Sequence, residues 1–173
     1  YLRFKIDDKS LFASSIPSRI VVRGKGMPVY DPRKDSTVPG GSGTQRANDQ
    51  STWTYDSGGN LQGDNTALQL LTWLIGWRIQ NPVTLAWKLS VGRGVPPERI
   101  NLQSFITAAN ECDAAVALKA GGTEKRYRSA AVVTEAEDPS SVVDRFKAAM
   151  NATLDDVDGQ IRVQVLVNDL GAP

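Results

Sequence analysis

The sequence has no histidine, one cysteine and two methionines. Histidine is the commonest general base and the commonest transition-metal ligand, so its absence excludes a Ser-His-Asp or Cys-His catalytic site within this chain. The single thiol, Cys112, excludes an internal disulfide and a cysteine zinc site. A sequence with so little cysteine indicates folding in a reducing compartment.

Neither sign of charge dominates, because 20 cationic side chains stand against 19 anionic ones for a formal net charge of +1. This balance gives no electrostatic reason to expect nucleic acid or an anionic membrane as a partner. The longest apolar stretch, around Leu68 to Ile79, contains Gln69, Thr72 and Arg78 and is too short to span a bilayer. With 40% hydrophobic and 23% charged residues, the 173-residue chain can bury a core.

Residues 1–60 form a β-rich segment in our interpretation. Alternating apolar residues predict strands over 1–6, 19–23 and 27–31. The glycines of Gly24-Lys25-Gly26 are typical of a hairpin turn, and Asp31-Pro32 would end the returning strand, which Tyr30 anchors. Residues 34–52, with the polar run "VPGGSGTQRANDQ", predict a mobile excursion. Trp53 and Tyr55 would form a short strand at its end.

Residues 61–173 form an α+β segment, with three predicted helices. The first covers 66–78 after a cap at Asp64 or Asn65, and its apolar residues lie on two sides, which is typical of burial between layers or against another subunit. The other two start after Asn101 and after Asp138-Pro139. Residues 80–100 are interpreted as a connection with some order. The second helix carries Leu102, Phe105, Ile106, Ala109, Cys112 and Val116, and the third carries Val142, Val143, Phe146, Ala149, Met150 and Leu154.

The chain between 127 and 167 predicts a strand–helix–strand unit. Its first strand is Tyr127 to Thr134, and its last is Gln160 to Val167, after a turn at Asp158-Gly159. Together with the N-terminal strands, this predicts an α+β fold built from antiparallel strands.

Three glycine motifs resemble ligand-binding loops and are better explained as turns. "GKG" at 24–26 lacks the spacing, the following Ser or Thr and the helix of a P-loop. "LDDVDG" at 154–159 lacks the first and last carboxylates of a calcium loop. "GRG" at 92–94 could form a small anion nest, but the prolines after it favour a structured linker. We therefore predict no catalytic, cofactor-binding or metal-binding residues and no cofactor.

Carboxylates and tryptophans leave two functional alternatives open. Some acidic pair could serve a glycosidase, and Trp53 and Tyr55 could stack sugars in a carbohydrate-binding module. Trp73 and Trp77 lie one helical turn apart among leucines and are expected in the core or an interface, whereas Trp53 is the tryptophan most free to contact a partner. Cys112 is expected to be a packed core thiol. The candidate acids are Glu111, Asp113, Glu135, Glu137 and Asp138.

Five stretches in order resemble one family. They are "GKGMPVYDPR" (24–33), "STWTYDSGGN" (51–60), "DNTALQLLTWLIGWR" (64–78), "GRGVPPERINLQSFITAANECD" (92–113) and "EKRYRSAAVVTEAEDPSSVVDRFKAAMNATL" (124–154). Together they are similar to the tip attachment protein J family of long, non-contractile phage tails, including the hubs of gene transfer agents. The resemblance runs from about Arg19 to Val167. Thr66 replaces a common proline, Ala130-Ala131 replaces a common Asn-Gly, and the excursion at 34–52 is longer.

The resemblance implies a structural, non-enzymatic role at the distal end of a tail. Members of this family are trimers that close the tail tube, bind other tail tip and tail tube proteins and reach the host cell surface indirectly. This chain would be a fragment of a longer hub protein, made in the bacterial cytoplasm and located in the virion or a related particle. The alternative is a carbohydrate-binding or cell-wall-cleaving module of a tail tip. Arg33 would cap or pair locally at the surface.

Overall fold

The computed structural model describes residues 26–57, 60–134 and 136–167. Within them the chain forms three α-helices and eight short β-strands, which confirms the α+β class. The strands pair in sequence order as antiparallel two-stranded sheets, β1–β2, β3–β4, β5–β6 and β7–β8. The elements are β1 (Asp56–Ser57), β2 (Asn60–Leu61), α1 (Thr66–Ile75), β3 (Trp77–Gln80), β4 (Trp87–Val91), α2 (Leu102–Asp113), β5 (Ala115–Ala117), β6 (Thr123–Lys125), α3 (Pro139–Ala149), β7 (Ala152–Val157) and β8 (Gln160–Val165).

Helix α1 is the centre of the core. Nine of its ten residues are buried, with Gln69 as the exception. It packs against both α2 and α3, and α2 also packs against β8. Apolar side chains on two sides of α1 therefore serve two neighbouring helices of the same chain, as the sequence pattern indicated. Phe105 and Cys112 of α2 are fully buried against it.

Each helix begins at a side-chain cap that satisfies a free first-turn amide. The Asn65 side chain accepts from the Leu68 amide at 3.2 Å, and Asn101 accepts from Ser104 at 3.0 Å. Asp138 accepts from the amides of Ser140 and Ser141 before the proline at the start of α3. The predicted helix starts at Asn65, Asn101 and Asp138 are all confirmed.

Helix α1 ends earlier than predicted, because Gly76 adopts φ 84° at its C-cap. Trp77 consequently lies in β3 and not in the helix, so the predicted helix over 66–78 was too long. A side chain at Gly76 would also collide with Leu89, at 2.5 Å from the added carbon. The connection predicted over 80–100 contains β4 and most of an antiparallel hairpin with β3. Short apolar runs of this kind do not distinguish helix from strand by period alone.

Other boundaries also differ from the predictions. Helices α2 and α3 stop at Asp113 and Ala149, so Val116 belongs to β5 and Leu154 to β7. The strand predicted over 127–134 is absent from its position, where the structure has one isolated bridge between Asn65 and Arg128. A strand–helix–strand succession exists, but its first strand is β6. The turn at Asp158-Gly159 and the final strand are confirmed in the β7–β8 hairpin, although β8 ends at Val165.

The N-terminal predictions have two outcomes. Strands 1–6 and 19–23 and most of "GKG" lie outside the described residues. The strand predicted over 27–31 is wrong, since only Val29 in that range forms a β-bridge, and its partner is Thr54. The short strand expected at Trp53 and Tyr55 is likewise reduced to this single bridge. Pro32–Lys34 instead form a 3₁₀ turn with Asp31 as its cap.

The loop over 34–52, expected to be a mobile excursion, is held by polar contacts. Asp35 and Gln45 are buried within it. The Asp35 carboxylate accepts from the Thr37 amide at 2.9 Å and from Arg46 Nη1 at 3.1 Å. Gln45 accepts from the Asp31 amide at 2.7 Å and donates to Thr54 Oγ1 at 2.9 Å. Buried hydrogen bonds thus order a segment that has little apolar surface to bury.

Candidate functional site

Two regions could carry function. One is a buried polar cluster, which we call the motif junction and define as Tyr30, Asp31, Arg33, Asn65 and Asp113. The other is the β3–β4 hairpin, residues 77–91, which we call the exposed hairpin.

Asp31 and Arg33 form the centre of the motif junction. Asp31 is fully buried, and its carboxylate accepts from the Arg33 amide at 3.0 Å and from Arg33 Nε and Nη2, both at 2.9 Å. The guanidinium then reaches α2, where Nη1 donates to Asn110 Oδ1 at 3.1 Å and to Asp113 Oδ2 at 2.9 Å. Arg33 therefore pairs locally, as predicted, but it also joins two parts of the chain 80 residues apart. Its side chain is 21% exposed and belongs only partly to the surface.

Asp113 joins the junction to the β5–β6 hairpin. Its other oxygen lies 2.9 Å from Lys125 Nζ, which also pairs with Asp64 at 2.8 Å. Burial by itself would raise the pKa of Asp113, but the hydrogen bonds from Lys125 and Arg33 outweigh it and hold that pKa below its usual value. Burial would likewise lower the pKa of Arg33, and its bonds to Asp31 and Asp113 raise it instead. These charges stabilise one another in their ionised forms.

Tyr30 connects the motif junction to the loop over 34–52 and to α1. Its hydroxyl donates to Asp35 Oδ2 at 2.8 Å, and its amide donates to Thr72 Oγ1 at 3.0 Å. Burial and the hydrogen bond to Asp35 raise the pKa of Tyr30 well above its ordinary value, so the phenol stays protonated. The ring lies 6.0 Å from that of Trp53. This tyrosine is a fully buried structural contact.

Trp53 is only 5% exposed, which contradicts the expectation that it was the tryptophan most free to contact a partner. Its indole N–H donates to the Arg46 carbonyl at 2.8 Å, and its ring meets Trp77 at 5.8 Å between centroids. The prediction relied on the polar residues that flank Trp53 in the sequence. Nothing in the sequence indicates that Tyr30 and Trp77 pack against this ring. The tryptophan that faces solvent is Trp87, at 60% exposed.

The described candidate acids are all engaged by cations or by helix-start amides. Asp113 lies in the motif junction, Glu111 pairs with Arg126 at 2.9 Å, and Glu137 pairs with Arg145 at 3.0 Å. Asp138 caps α3. Glu135 lies outside the described residues. The geometry thus gives these acids structural partners and does not aim any two of them at a common substrate position.

One cavity, beside α1, has a volume of about 980 Å³ and walls that are mostly apolar. Asp64 is the only acid among its lining residues, and that carboxylate pairs with Lys125 and with Arg128 Nε at 3.1 Å. A glycosidase needs two carboxyl groups across its cleft. The "GRG" segment at 92–94 packs against α1, because the Arg93 N–H donates to the Trp73 carbonyl at 2.9 Å. That amide is therefore not free to hold an anion.

No group of His, Cys, Asp or Glu within 26–57, 60–134 and 136–167 is arranged to hold a metal ion. Cys112 is fully buried, and burial raises its pKa to about 11. The thiol is a core side chain, as expected. Among the described helices, none combines the length and apolarity that a bilayer crossing requires.

The exposed hairpin is fixed at its base and open at its tip. Trp77 packs on Trp53, and the Gln50 side chain accepts from the Arg78 amide at 2.8 Å on the outer edge of β3. Beyond this base, large apolar side chains face solvent. They are Val83 at 87%, Leu85 at 65%, Trp87 at 60% and Ile79 at 52% exposed.

The turn of the exposed hairpin lacks the usual sequence signal, and for this reason the sequence pattern did not predict the hairpin. Trp77 and Ile79 alternate on β3, and Leu85, Trp87 and Leu89 alternate across the turn and β4, but the turn itself lacks a glycine pair. The Asn81 side chain replaces that signal by accepting from the amides of Val83 and Thr84. An Asn-Pro dipeptide between two alternating segments could have indicated it.

Comparison with known proteins adds no relative to this description. No known family model, no curated protein and no solved structure matches the chain.

Proposed function

We propose that this chain is a non-enzymatic structural module of the tail tip of a phage or phage-like particle, in the central hub. The proposal starts from the resemblance of five ordered stretches to the tip attachment protein J family. The chain would act in the parent assembly as part of a homotrimer that contacts other tail tip and tail tube proteins. Its location would be the distal end of the tail of a virion, a prophage particle or a gene transfer agent.

One observation carries the proposal: all five stretches meet at the motif junction and its immediate neighbours. The first stretch supplies Tyr30, Asp31 and Arg33, and the second supplies Trp53, which packs on Tyr30. The third supplies Asn65, whose side chain donates to the Ala109 carbonyl of the fourth at 2.9 Å. The fifth supplies Lys125, which pairs with Asp113 of the fourth.

This convergence supports the interpretation of the motifs as a folding signature. The first, third and fourth stretches are joined by buried hydrogen bonds from Tyr30 to Thr72 and from Asn65 to Ala109, and such bonds require both partners to be present together. The second and fifth stretches are joined to them by a ring contact and by a half-buried ion pair. The residues of the signature form contacts that stabilise the fold, which is the role that the family resemblance implies for them.

A carbohydrate-binding or cell-wall-cleaving module remains the alternative, but no contact in the structure favours it. Of the two aromatic residues expected to bind sugar, Trp53 is buried and Tyr55 is half-buried, and the described candidate acids have structural partners. We therefore argue only the hub proposal.

Immunogold labelling of particles that carry this chain tests the proposal. Antibodies raised against the purified chain should label the distal tail end, and pre-incubation with the chain should abolish the label. Label on the capsid or along the tail shaft, or particles without the chain, would contradict the proposal.

A further inference from the structure

The exposed hairpin projects from the rest of the described chain, and water reaches both of its faces. Every residue from Ile79 to Val91 is exposed. Ile79 and Trp87 belong to adjacent cross-strand pairs, and adjacent pairs point to opposite faces of a hairpin. Large apolar side chains therefore lie on both faces, whereas a hairpin that docks on a flat surface needs them on one face only.

The turn of the hairpin, residues 81–86, adds apolar surface at the end. Val83 and Leu85 are 87% and 65% exposed. The sequence has no charged residue from Ile79 to Trp87. Monomeric proteins rarely leave contiguous apolar patches of large area in water. An environment that covers this turn must therefore be apolar and must reach it from more than one side.

The turn also satisfies its own backbone donors. The Asn81 amide donates to the Ala86 carbonyl, and the Leu85 amide donates to the Asn81 carbonyl, both at 2.9 Å. The Asn81 side chain accepts from the amides of Val83 and Thr84 at 2.8 and 3.0 Å. Thr84 Oγ1 accepts from the Ala86 amide at 3.4 Å, and the remaining turn residue is a proline, which has no amide proton. Backbone donors with internal acceptors can leave water at little cost, which is what entry into a bilayer requires.

Cations flank the turn on the side of the protein core. Lys88 lies in the second cross-strand pair from the turn and Arg78 in the third, about 7 and 10 Å along the strands. Neither forms an ion pair with the described residues. From Asn65 to Pro97 the sequence has no acid, and its three cations are Arg78, Lys88 and Arg93. The charge balance of the whole chain therefore hides a region that is purely cationic.

We propose that the tip of the exposed hairpin, residues 81–87, inserts into the surface of a bilayer that contains anionic phospholipids. Val83 and Leu85 enter the boundary between headgroups and acyl chains, and Trp87 lies at the level of the headgroups, where tryptophan is enriched in membrane proteins. Lys88 and Arg78 lie behind the tip, where they attract the lipid phosphates.

The geometry favours a bilayer over a protein groove and limits the depth of insertion. A bilayer surrounds an inserted tip on all sides, so it covers both faces of the hairpin together with the turn. The strands stay among the headgroups, because the outer edges of a two-stranded ribbon carry backbone groups that need water. The inference does not rest on the proposed tail-tip function.

Cosedimentation of the purified chain with vesicles tests the proposal. The native chain should bind vesicles that mix phosphatidylglycerol with phosphatidylcholine, and bind vesicles of phosphatidylcholine alone more weakly. Val83→Asp should weaken binding about tenfold or more, because an ionised side chain would have to leave water. Val132→Asp is the matched control, since Val132 is 79% exposed but lies outside the hairpin, and it should leave binding unchanged. Circular dichroism identifies any variant that fails to fold.

Tryptophan fluorescence in vesicles that contain brominated phosphatidylcholine shows which ring meets the lipid. Bromine quenches only nearby rings, and Trp87 is the tryptophan that faces solvent. The fluorescence of the bound native chain should be quenched. Trp87→Phe keeps an aromatic ring, so it should retain most of the binding and lose the quenching. Quenching that persists in the bound variant would overturn the proposal, because another tryptophan would then be the one in the bilayer.

A neutral substitution tests the role of charge. Lys88→Gln should weaken binding to the anionic vesicles about fivefold, the effect of one cation near such a surface, and should leave binding to phosphatidylcholine alone unchanged. Lys119→Gln removes an exposed cation of another hairpin and should have no such effect. Equal losses in the two variants would mean that the net charge of the chain, and not the hairpin, attracts the lipid, which would overturn the proposal.

A protein partner is the other class of occupant, and sedimentation velocity without vesicles detects self-association. A native chain that binds no vesicles, or that binds them as well with Val83→Asp, would overturn the proposal. Self-association that Val83→Asp abolishes, in a chain that binds no vesicles, would assign the tip to a protein contact instead. Each of these results would leave immunogold labelling at the tail tip intact. A chain that binds lipid as expected but is located away from the tail tip would overturn only the proposed function.

Discussion

The motif junction and the exposed hairpin reverse the usual distribution of side chains. In the junction, charged and polar residues such as Asp31 and Asn65 are fully buried, and in the hairpin large apolar residues such as Trp87 face solvent. The rings of Trp53 and Trp77 connect the two regions, since Trp53 packs on Tyr30 of the junction and on Trp77 of the hairpin. Buried polar groups are stable only when they have partners, and exposed apolar groups are informative when they cluster. The junction therefore holds the fold together, whereas the hairpin carries apolar side chains that the fold of this chain does not bury.

The largest effect should come from the core that both regions share. Phe105→Ala should lower the free energy of unfolding by about 3–5 kcal/mol, because it leaves a cavity in a fully buried site of α2. Urea unfolding followed by circular dichroism measures the change. Phe105→Leu keeps most of the volume and should cost less than about 1.5 kcal/mol. Equal losses in the two variants would show that volume at this site does not decide stability.

The next effect should come from the junction itself. Asp31→Ala should lower the free energy of unfolding by about 2–3 kcal/mol, since hydrogen bonds to charged groups contribute about that much and Arg33 would keep only its α2 partners. The measurement is again urea unfolding at pH 7. A loss below about 0.5 kcal/mol would mean that the junction is incidental to the fold.

Asp144 provides the matched control for Asp31. Its carboxylate pairs with Lys147 at 2.8 Å but is 68% exposed. Such surface pairs contribute about 0–1 kcal/mol, so Asp144→Ala should be nearly neutral. The contrast between two aspartates with similar distances and opposite burial isolates the effect of the surroundings.

How far the sequence could predict these regions depends on whether the information is local. The start of α2 was predictable, because Asn101 precedes a regular apolar pattern that includes Phe105 and Cys112. The end of α1 was not, because Trp77 continues the helical pattern by coincidence while Gly76 turns the chain. The Arg33–Asp113 pair joins residues 80 apart, and no local pattern encodes such a contact.

The predicted absence of a reaction centre also rests on local sequence information alone. It followed from missing histidine and from motifs that did not fit, and it stays a prediction. What the structure adds is the partner of each described candidate acid, Glu111, Asp113, Glu137 and Asp138, which a sequence of nineteen acidic residues could not give. The domain boundary near residue 60 also stays a prediction.

Acid should weaken the motif junction and the adjoining loop over 34–52 before it affects the exposed hairpin. Asp113 and Asp35 have pKa values below the ordinary range, in both cases because hydrogen bonds outweigh the opposing effect of burial. A carboxyl whose pKa is lower in the folded state stabilises the fold above its unfolded pKa, about 4, and this stabilisation is lost as pH falls through the folded value. The free energy of unfolding should therefore stay level from pH 7 to about 5 and decline below about 4.

Asp113→Asn tests which carboxyl is responsible. The amide cannot ionise, so part of the acid dependence should disappear while the remainder, due to Asp35 and other carboxyls, persists. Urea unfolding between pH 7 and 2.5 measures both chains. An unchanged slope in the variant would remove Asp113 from the explanation.

The smallest effect on stability should come from the hairpin tip, where the contrast with the junction is sharpest. Trp87→Ser removes a larger side chain than Phe105→Ala does, yet it should change the free energy of unfolding by no more than about 0.5 kcal/mol, because 60% of Trp87 is already in water. Urea unfolding followed by circular dichroism measures the change. A large loss would instead mean that Trp87 supports its own fold, and the hairpin would then belong with the junction as a structural element.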